Sequence, residues 1–110
     1  MSSQPLPLLP GTLDVLILKA ASWKPEHGYG LARLIEERSG GGLLVEEGAL
    51  YPALHRLERQ GALQSTWGTS ENGRRARFYE ITAAGKQRLR AGVRTWRRYA
   101  SAVAFVLDHG

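Results

Sequence analysis

The stretch Gly48–Gly61, GALYPALHRLERQG, decides the fold, together with Gly73–Thr82, GRRARFYEIT, which begins twelve residues after it. At about 100° per residue, Leu50, Ala53, Leu54 and Leu57 fall on one side of a helix. Gly48, Pro52, His55, Arg56 and Arg59 fall on the other side, with Tyr51 at the flank. The second stretch is a turn and strand carrying Arg74, Arg75 and Arg77. A short helix with a cationic, hydrogen-bonding outer face, beside an Arg-rich hairpin tip, suits a polyanion. The large groove of duplex DNA admits one helix, and a hairpin can reach the neighbouring backbone.

Upstream, residues 1–10 hold three prolines and two serines and are expected to form a flexible tail. Gly11–Thr12 offers a helix start, with Asp14 in the first turn to meet the positive helix end. Leu13, Leu16, Ile17 and Ala20 recur at helical spacing, Val15 and Leu18 widen the stripe, and Pro25 stops it. A second helix is expected over Tyr29–Ser39, ended by Gly40–Gly42, with His27 at its start. Leu43–Val45 reads as a short extended piece. The third helix occupies Gly48–Gln60, where Pro52 falls near the first turn and breaks little. Leu63–Trp67 and Ala76–Ile81 read as two strands whose connection contains Asn72-Gly73, a pair suited to a turn with positive φ. A final helix follows over Ala83–Leu107, with Thr82 as N-cap. The class is mainly α (α+β).

The totals agree with one such domain. The chain has 110 residues, 43% of them hydrophobic and 23% charged, close to globular averages. Its net charge of +5 favours an anionic partner. It has no cysteine, which excludes disulfides, thiolate metal sites and cysteine nucleophiles. The apolar run Leu13–Leu18 contains Asp14 and is too short for a membrane span, and the first ten residues lack a basic signal-peptide region. The expectation is a cytoplasmic protein with no membrane partner.

For the third helix, the outer residues have defined uses. Arg56 and Arg59 can pair with phosphates or guanine edges, and Tyr51 and His55 can hydrogen-bond either. Gly48 and Ala49 allow the helix start to approach phosphate, and Gly73 opens the arginine cluster of the hairpin. The plain alternative is a solvated amphipathic face. The hairpin weighs against it, because crowded like charges call for an anionic counterpart.

These segments resemble the PadR family of winged helix-turn-helix transcriptional regulators. The resemblance rests on LPGTLDVLILKAAS at the start, HGYGLARLIEE in the second helix, GALYPALHRLERQGAL across the third and NGRRARFYEITAAGKQRL through the hairpin, or wing. It implies a DNA-binding domain over residues 11–82 with a two-stranded wing, and a C-terminal dimerisation helix over residues 83–110. It also implies sequence-specific regulation of transcription, in most cases repression, by a homodimer on a palindromic operator in double-stranded DNA. Glu46 and Glu47 depart from the family pattern, which often has uncharged polar residues there. Two other readings stay open at this stage. A non-specific architectural DNA binder would show a salt slope without sequence preference, and a protein-interaction module would dock acidic surfaces.

In the last helix, Leu89, Val93, Trp96, Ala100, Val103 and Leu107 step by four and three, a heptad seam. A helix of about 25 residues spans roughly 37 Å and overshoots a three-helix core. Its apolar edge is expected to pair with a second copy, joined by Leu13, Leu16 and Ile17 of the first helix, as the resemblance implies. The alternative is a helix folded back on its own domain. Trp96 sits mid-seam, and in view of the family it is a candidate contact for a small aromatic effector. Trp23 and Trp67 are assigned to core or hinge.

No enzyme site can be assembled. His27, His55 and His109 are too scattered for zinc, no nucleophile has an activating partner, and Gly28-Tyr29-Gly30 lacks the third glycine of a dinucleotide loop. No cofactor is expected.

Overall fold

Leu31, Leu50, Leu54, Leu57 and Leu63 share one interior with Ile17 and Leu18, all of them essentially inaccessible to water. Three helices and a small sheet converge on this cluster. The computed structural model describes residues 4–9 and 11–109. In chain order the elements are β1 (Leu6–Pro7), α1 (Thr12–Ala21), β2 (Glu26–His27), α2 (Gly28–Arg38), β3 (Leu43–Leu44), α3 (Glu47–Arg59), β4 (Leu63–Thr69), β5 (Arg75–Ile81) and α4 (Ala83–Asp108). The fold is mainly α (α+β), a winged helix-turn-helix with a long C-terminal helix.

Local chemistry sets most boundaries. The His27 ring nitrogen Nδ1 accepts from the Gly30 N–H at 2.9 Å and so caps α2. Thr82 Oγ1 accepts from the Gly85 N–H at 3.0 Å and caps α4, as its sequence position predicts. Gly61, at φ 76°, turns the chain out of α3 and into β4. Pro52 lies at the start of the second turn of α3, one residue further in than expected, because the helix starts at Glu47 and not at Gly48. Its missing N–H removes the i−4 donor to the Gly48 carbonyl, and Gly48 is exposed, so the loss falls at the solvent-facing side of the helix.

Two features differ from expectation. The wing strands β4 and β5 pair antiparallel from Leu63–Ile81 out to Thr69–Arg75, and β2 adds a third strand through Glu26–Tyr79 and His27–Phe78. At the other end, Leu6–Pro7 pairs in parallel with Leu43–Leu44, and the Leu6 N–H donates to the Gly42 carbonyl at 2.7 Å. This part of the expected tail is therefore held as a strand, since proline keeps an acceptor carbonyl and an extended φ. Met1–Ser3 and Pro10 of that tail lie outside the described residues, as does Gly110.

The helix α4 leaves the domain along its own axis and gives the molecule a long dimension of 53 Å. Its first half packs on α1 and β5. A Cβ at Gly92 would lie 2.7 Å from Val15 Cγ2, so glycine is what lets the two helices cross this closely. Beyond Val93 nearly every side chain is exposed.

Candidate nucleic-acid interface

The orientation of α3 follows from its apolar face. Leu50, Leu54 and Leu57 are each buried to within 1% of full exclusion, and each contributes roughly 1.5–3 kcal/mol relative to exposure. That anchoring far exceeds the roughly 0–1 kcal/mol of a rim ion pair, so it decides which side faces out. Gly48, Ala49, Pro52, His55 and Arg59 are consequently exposed, and Tyr51 is half-exposed. The Tyr51 ring rests against α2 where a Cβ at Gly28 would lie 3.0 Å from its Cε1, so glycine there allows the crossing.

Arg56 sits apart from these residues. Expected on the outer face, it lies on the flank toward α1, where its Nη2 donates to Asp14 Oδ1 at 2.6 Å. One arm of its guanidinium is thus held by a protein carboxylate. The helical position of residue 56 falls about 100° from that of His55 and about 60° from that of Arg59 around the axis, on the side next to α1.

In the wing, Trp67 lies opposite Arg77 in the β4–β5 register. The Arg75 guanidinium sits 4.6 Å from the Trp67 ring centre and that of Arg77 4.9 Å. Such contacts hold a cation over the ring face. Arg77 also donates to Ser65 Oγ at 2.8 Å and lies 3.9 Å from Glu58 Oε2. Arg74 and Arg75 have no carboxylate partner among the described residues. The tip closes through Ser70 N–H to the Arg74 carbonyl at 2.8 Å, with Gly73 at φ 79°. Trp67 and Trp23, expected in the core or at a hinge, are instead surface rings 55% and 40% exposed. Trp23 lies under Arg38, whose guanidinium is 4.3 Å from the ring centre, with Lys19 beside it.

Between α3 and the wing runs an open cleft of about 900 Å³. Tyr51 and His55 line one wall; Trp67, Arg74, Arg75 and Arg77 line the other. Tyr29 and Arg33 of α2 join it, together with the carboxylates of Glu26, Glu37 and Glu71. Tyr29 was not among the expected site residues, although a tyrosine in the first turn of a helix, next to a capping His27, was a legible sign of exposure. Arg59 and Arg56 are not part of this lining. Beneath the cleft Tyr79 is buried, and its phenol is pushed above the usual 10.0 by that burial and by the charge of Glu58, with Arg77 acting in the opposite sense.

The residues expected at a dimer seam divide into three groups by exposure. Ile17 is fully buried in the core of its own domain and cannot reach a second chain, a correction to that assignment. Leu13, Leu16 and Leu89 are half-buried against the same core. Val93 and Ala100 are half-buried, whereas Trp96, Val103 and Leu107 are 43%, 41% and 75% exposed. Trp96 lies nearly parallel to Tyr99, their ring centres 6.3 Å apart.

Among the described residues no helix is long and apolar enough to cross a membrane, and no group of three His, Asp or Glu side chains is placed to hold a metal. A family model described as the transcriptional regulator PadR-like family matches residues 17–91. The transcriptional regulator Rv3488 of Mycobacterium tuberculosis is 42% identical over 73 residues, which cover 66% of this chain and 64% of that protein. A PadR family transcriptional regulator of Eggerthella lenta has a solved structure with 30% identity and a TM-score of 0.75, covering 91% of this chain and 85% of its own. A structure from Streptococcus mutans UA159 matches with 25% identity and a TM-score of 0.79 over 94% and 92% of the two chains. With more than half its length matched by the family model and this fold shared, the chain belongs to the PadR-like family of transcriptional regulators, DNA-binding proteins and not enzymes.

Proposed function

We propose that the protein is a repressor that binds an inverted-repeat operator in double-stranded DNA as a homodimer. The observation that carries this reading is the single cleft that sets the exposed helix face of Tyr51 and His55 opposite Arg74, Arg75 and Arg77. In the proposed complex the outer side of α3, from Gly48 and Ala49 through Pro52, His55 and Arg59, enters the major groove. Arg74 and Arg75 meet the backbone or the minor groove beside it, with Gly73 shaping the turn. Arg56 has no part in base reading, being held by Asp14.

The homodimer is supported by the uncovered half of α4. Gly85, Leu89, Gly92 and Val93 lie on the same helix face as Trp96, Ala100, Val103 and Leu107, at about 100° per residue. The near half of that face is seated on α1 and β5, and the far half has nothing against it. A second copy, through its own α4 with Leu13 and Leu16 of α1, is the proposed cover. Two α3 helices would then enter successive major grooves roughly 34 Å apart. Within that seam, Trp96 with Tyr99 is the proposed contact for a small aromatic effector. The proposed setting is the cytoplasm, where such DNA is found.

Footprinting with saturating protein in dilute buffer tests the reading. The expected result is a protected inverted repeat. Uniform protection with a steep salt slope would favour an architectural binder, and absence of protection would overturn DNA binding altogether. For the effector, quenching of tryptophan fluorescence by an aromatic compound, lost in Trp96→Ala, is the expected pattern.

A further inference from the structure

Asp14 occupies an unusual place for a first-turn helix carboxylate. Its Oδ1 accepts from Arg56 Nη2 of α3 at 2.6 Å, and its Oδ2 accepts from Arg88 Nη2 of α4 at 3.3 Å. The other arm of the Arg88 guanidinium donates to Gln60 Oε1, at the C-cap of α3. One carboxylate thus divides its two oxygens between guanidinium groups from two different helices, and one of those groups returns to the end of the first. The Asp14 side chain is 20% exposed, so the junction is partly shielded from water, and the arginines are about 40% exposed. The helix α1 packs against both α3 and α4, while α3 and α4 make little direct contact with each other. Their relative orientation therefore passes through α1 and through this junction.

We infer that Asp14 is a positioning residue that sets the angle between the DNA-reading helix α3 and the long helix α4. Apolar packing fixes which face of α3 is inward but leaves rotation about the contact soft, because non-directional burial changes little over a few degrees. Charge-assisted hydrogen bonds to two oxygens of one rigid carboxylate supply the missing direction. The junction also gives α4 a lever: a shift of α4 that moves Arg88 acts on Asp14 and Gln60 together, and both are bound to α3. The inference rests on the reading of α3 as the helix that enters DNA, but the geometry it asserts is internal to one chain.

The test uses that independence. The chain has no cysteine, so cysteines at exposed Glu47 on α3 and exposed Ser101 on α4 accept spin labels at those two positions alone. Labelled full-length protein is diluted with excess unlabelled protein, so that pulsed dipolar spectroscopy reads distances within one chain whatever its oligomeric state. The parent should give a narrow distance distribution. Asp14→Asn keeps one acceptor oxygen but turns an N–H₂ donor toward the second guanidinium, and should shift or broaden the distribution. Asp14→Glu, which restores two oxygens, should recover much of the narrow peak. Arg88→Gln should broaden it, and the Asp14→Asn and Arg88→Gln changes together should add nothing beyond the larger single effect. An unchanged distribution in Asp14→Asn, with helical content retained by circular dichroism, overturns the inference. If Asp14→Asn does not fold, Arg88→Gln at its more exposed position carries the same test, and an unchanged peak there overturns it. No DNA is present, so such a failure leaves the proposed DNA reading standing.

Discussion

Trp67 and Arg77 face each other across the wing hairpin, with the guanidinium 4.9 Å from the centre of the indole ring. The same ring carries Arg75 at 4.6 Å. An exposed tryptophan with two cations against it holds those charges in place before any partner arrives, and preorganised charges lose less entropy on binding. Trp67→Leu is therefore expected to weaken binding to all duplexes alike. With about 0.5–1 kcal/mol for each of the two exposed cation–π contacts, the loss is about five- to thirtyfold in Kd. Fluorescence anisotropy with a labelled duplex at fixed salt measures it.

Arg75 differs from Arg77 in having no carboxylate or hydroxyl partner among the described residues. Arg75→Ala should weaken specific and non-specific duplexes equally and reduce the slope of log K against log salt by about one. An unaltered slope would remove the wing from the interface.

His55 and Arg56 are neighbours with different tasks. His55→Ala should relax sequence preference, costing about 1–3 kcal/mol of discrimination at the base pair it faces. Arg56→Ala should leave relative preference among operator variants intact, because its guanidinium is bound to Asp14 at 2.6 Å. Competition binding with a panel of single-base operator variants separates the two outcomes.

These contrasts show what was legible in the sequence. The apolar face of α3 and the heptad spacing of α4 follow from local periodicity, and the places of Thr82 and His27 follow from residue type at the two helix starts. Arg56 could not be placed, because the residue that claims it, Asp14, lies 42 positions away. The resemblance places Ile17 at a dimer face together with Leu13 and Leu16, and the periodicity of α1 cannot separate them, since it reveals a greasy stripe but not which part of it α2 and α3 cover. Trp67 reads as core or hinge from the sequence alone, yet its register opposite Arg77 turns it outward. The strand β2 has two residues, too few for any alternation, and exists only because β5 offers it an edge.

Val103→Asp places a carboxylate in the far half of the α4 seam, where the parent residue touches little of its own domain. Sedimentation at low micromolar concentration should give a dimer for the parent and a monomer for the variant, with circular dichroism near the parent's over the winged domain. A parent that sediments as a monomer would end the two-fold arrangement.

Tyr79 gives the fold an alkaline limit. Its phenol sits above the usual 10.0 in the native state, chiefly because of burial. As pH rises past that value the unfolded chain releases this proton first, so the native state binds more protons and stability declines. The stabilisation is complete below the unfolded value and is lost as pH climbs through the native one. Urea midpoints measured from about pH 9 to about pH 11 should fall for the parent and fall less for Tyr79→Phe.

The bare far half of α4 also makes abundance an input. If its cover is another copy of the same chain, then at scarce levels most molecules are single and the paired form grows with the square of their number. Occupancy of a target site would then respond to synthesis as a threshold and not in proportion, and a modest change in production would be amplified without any further component.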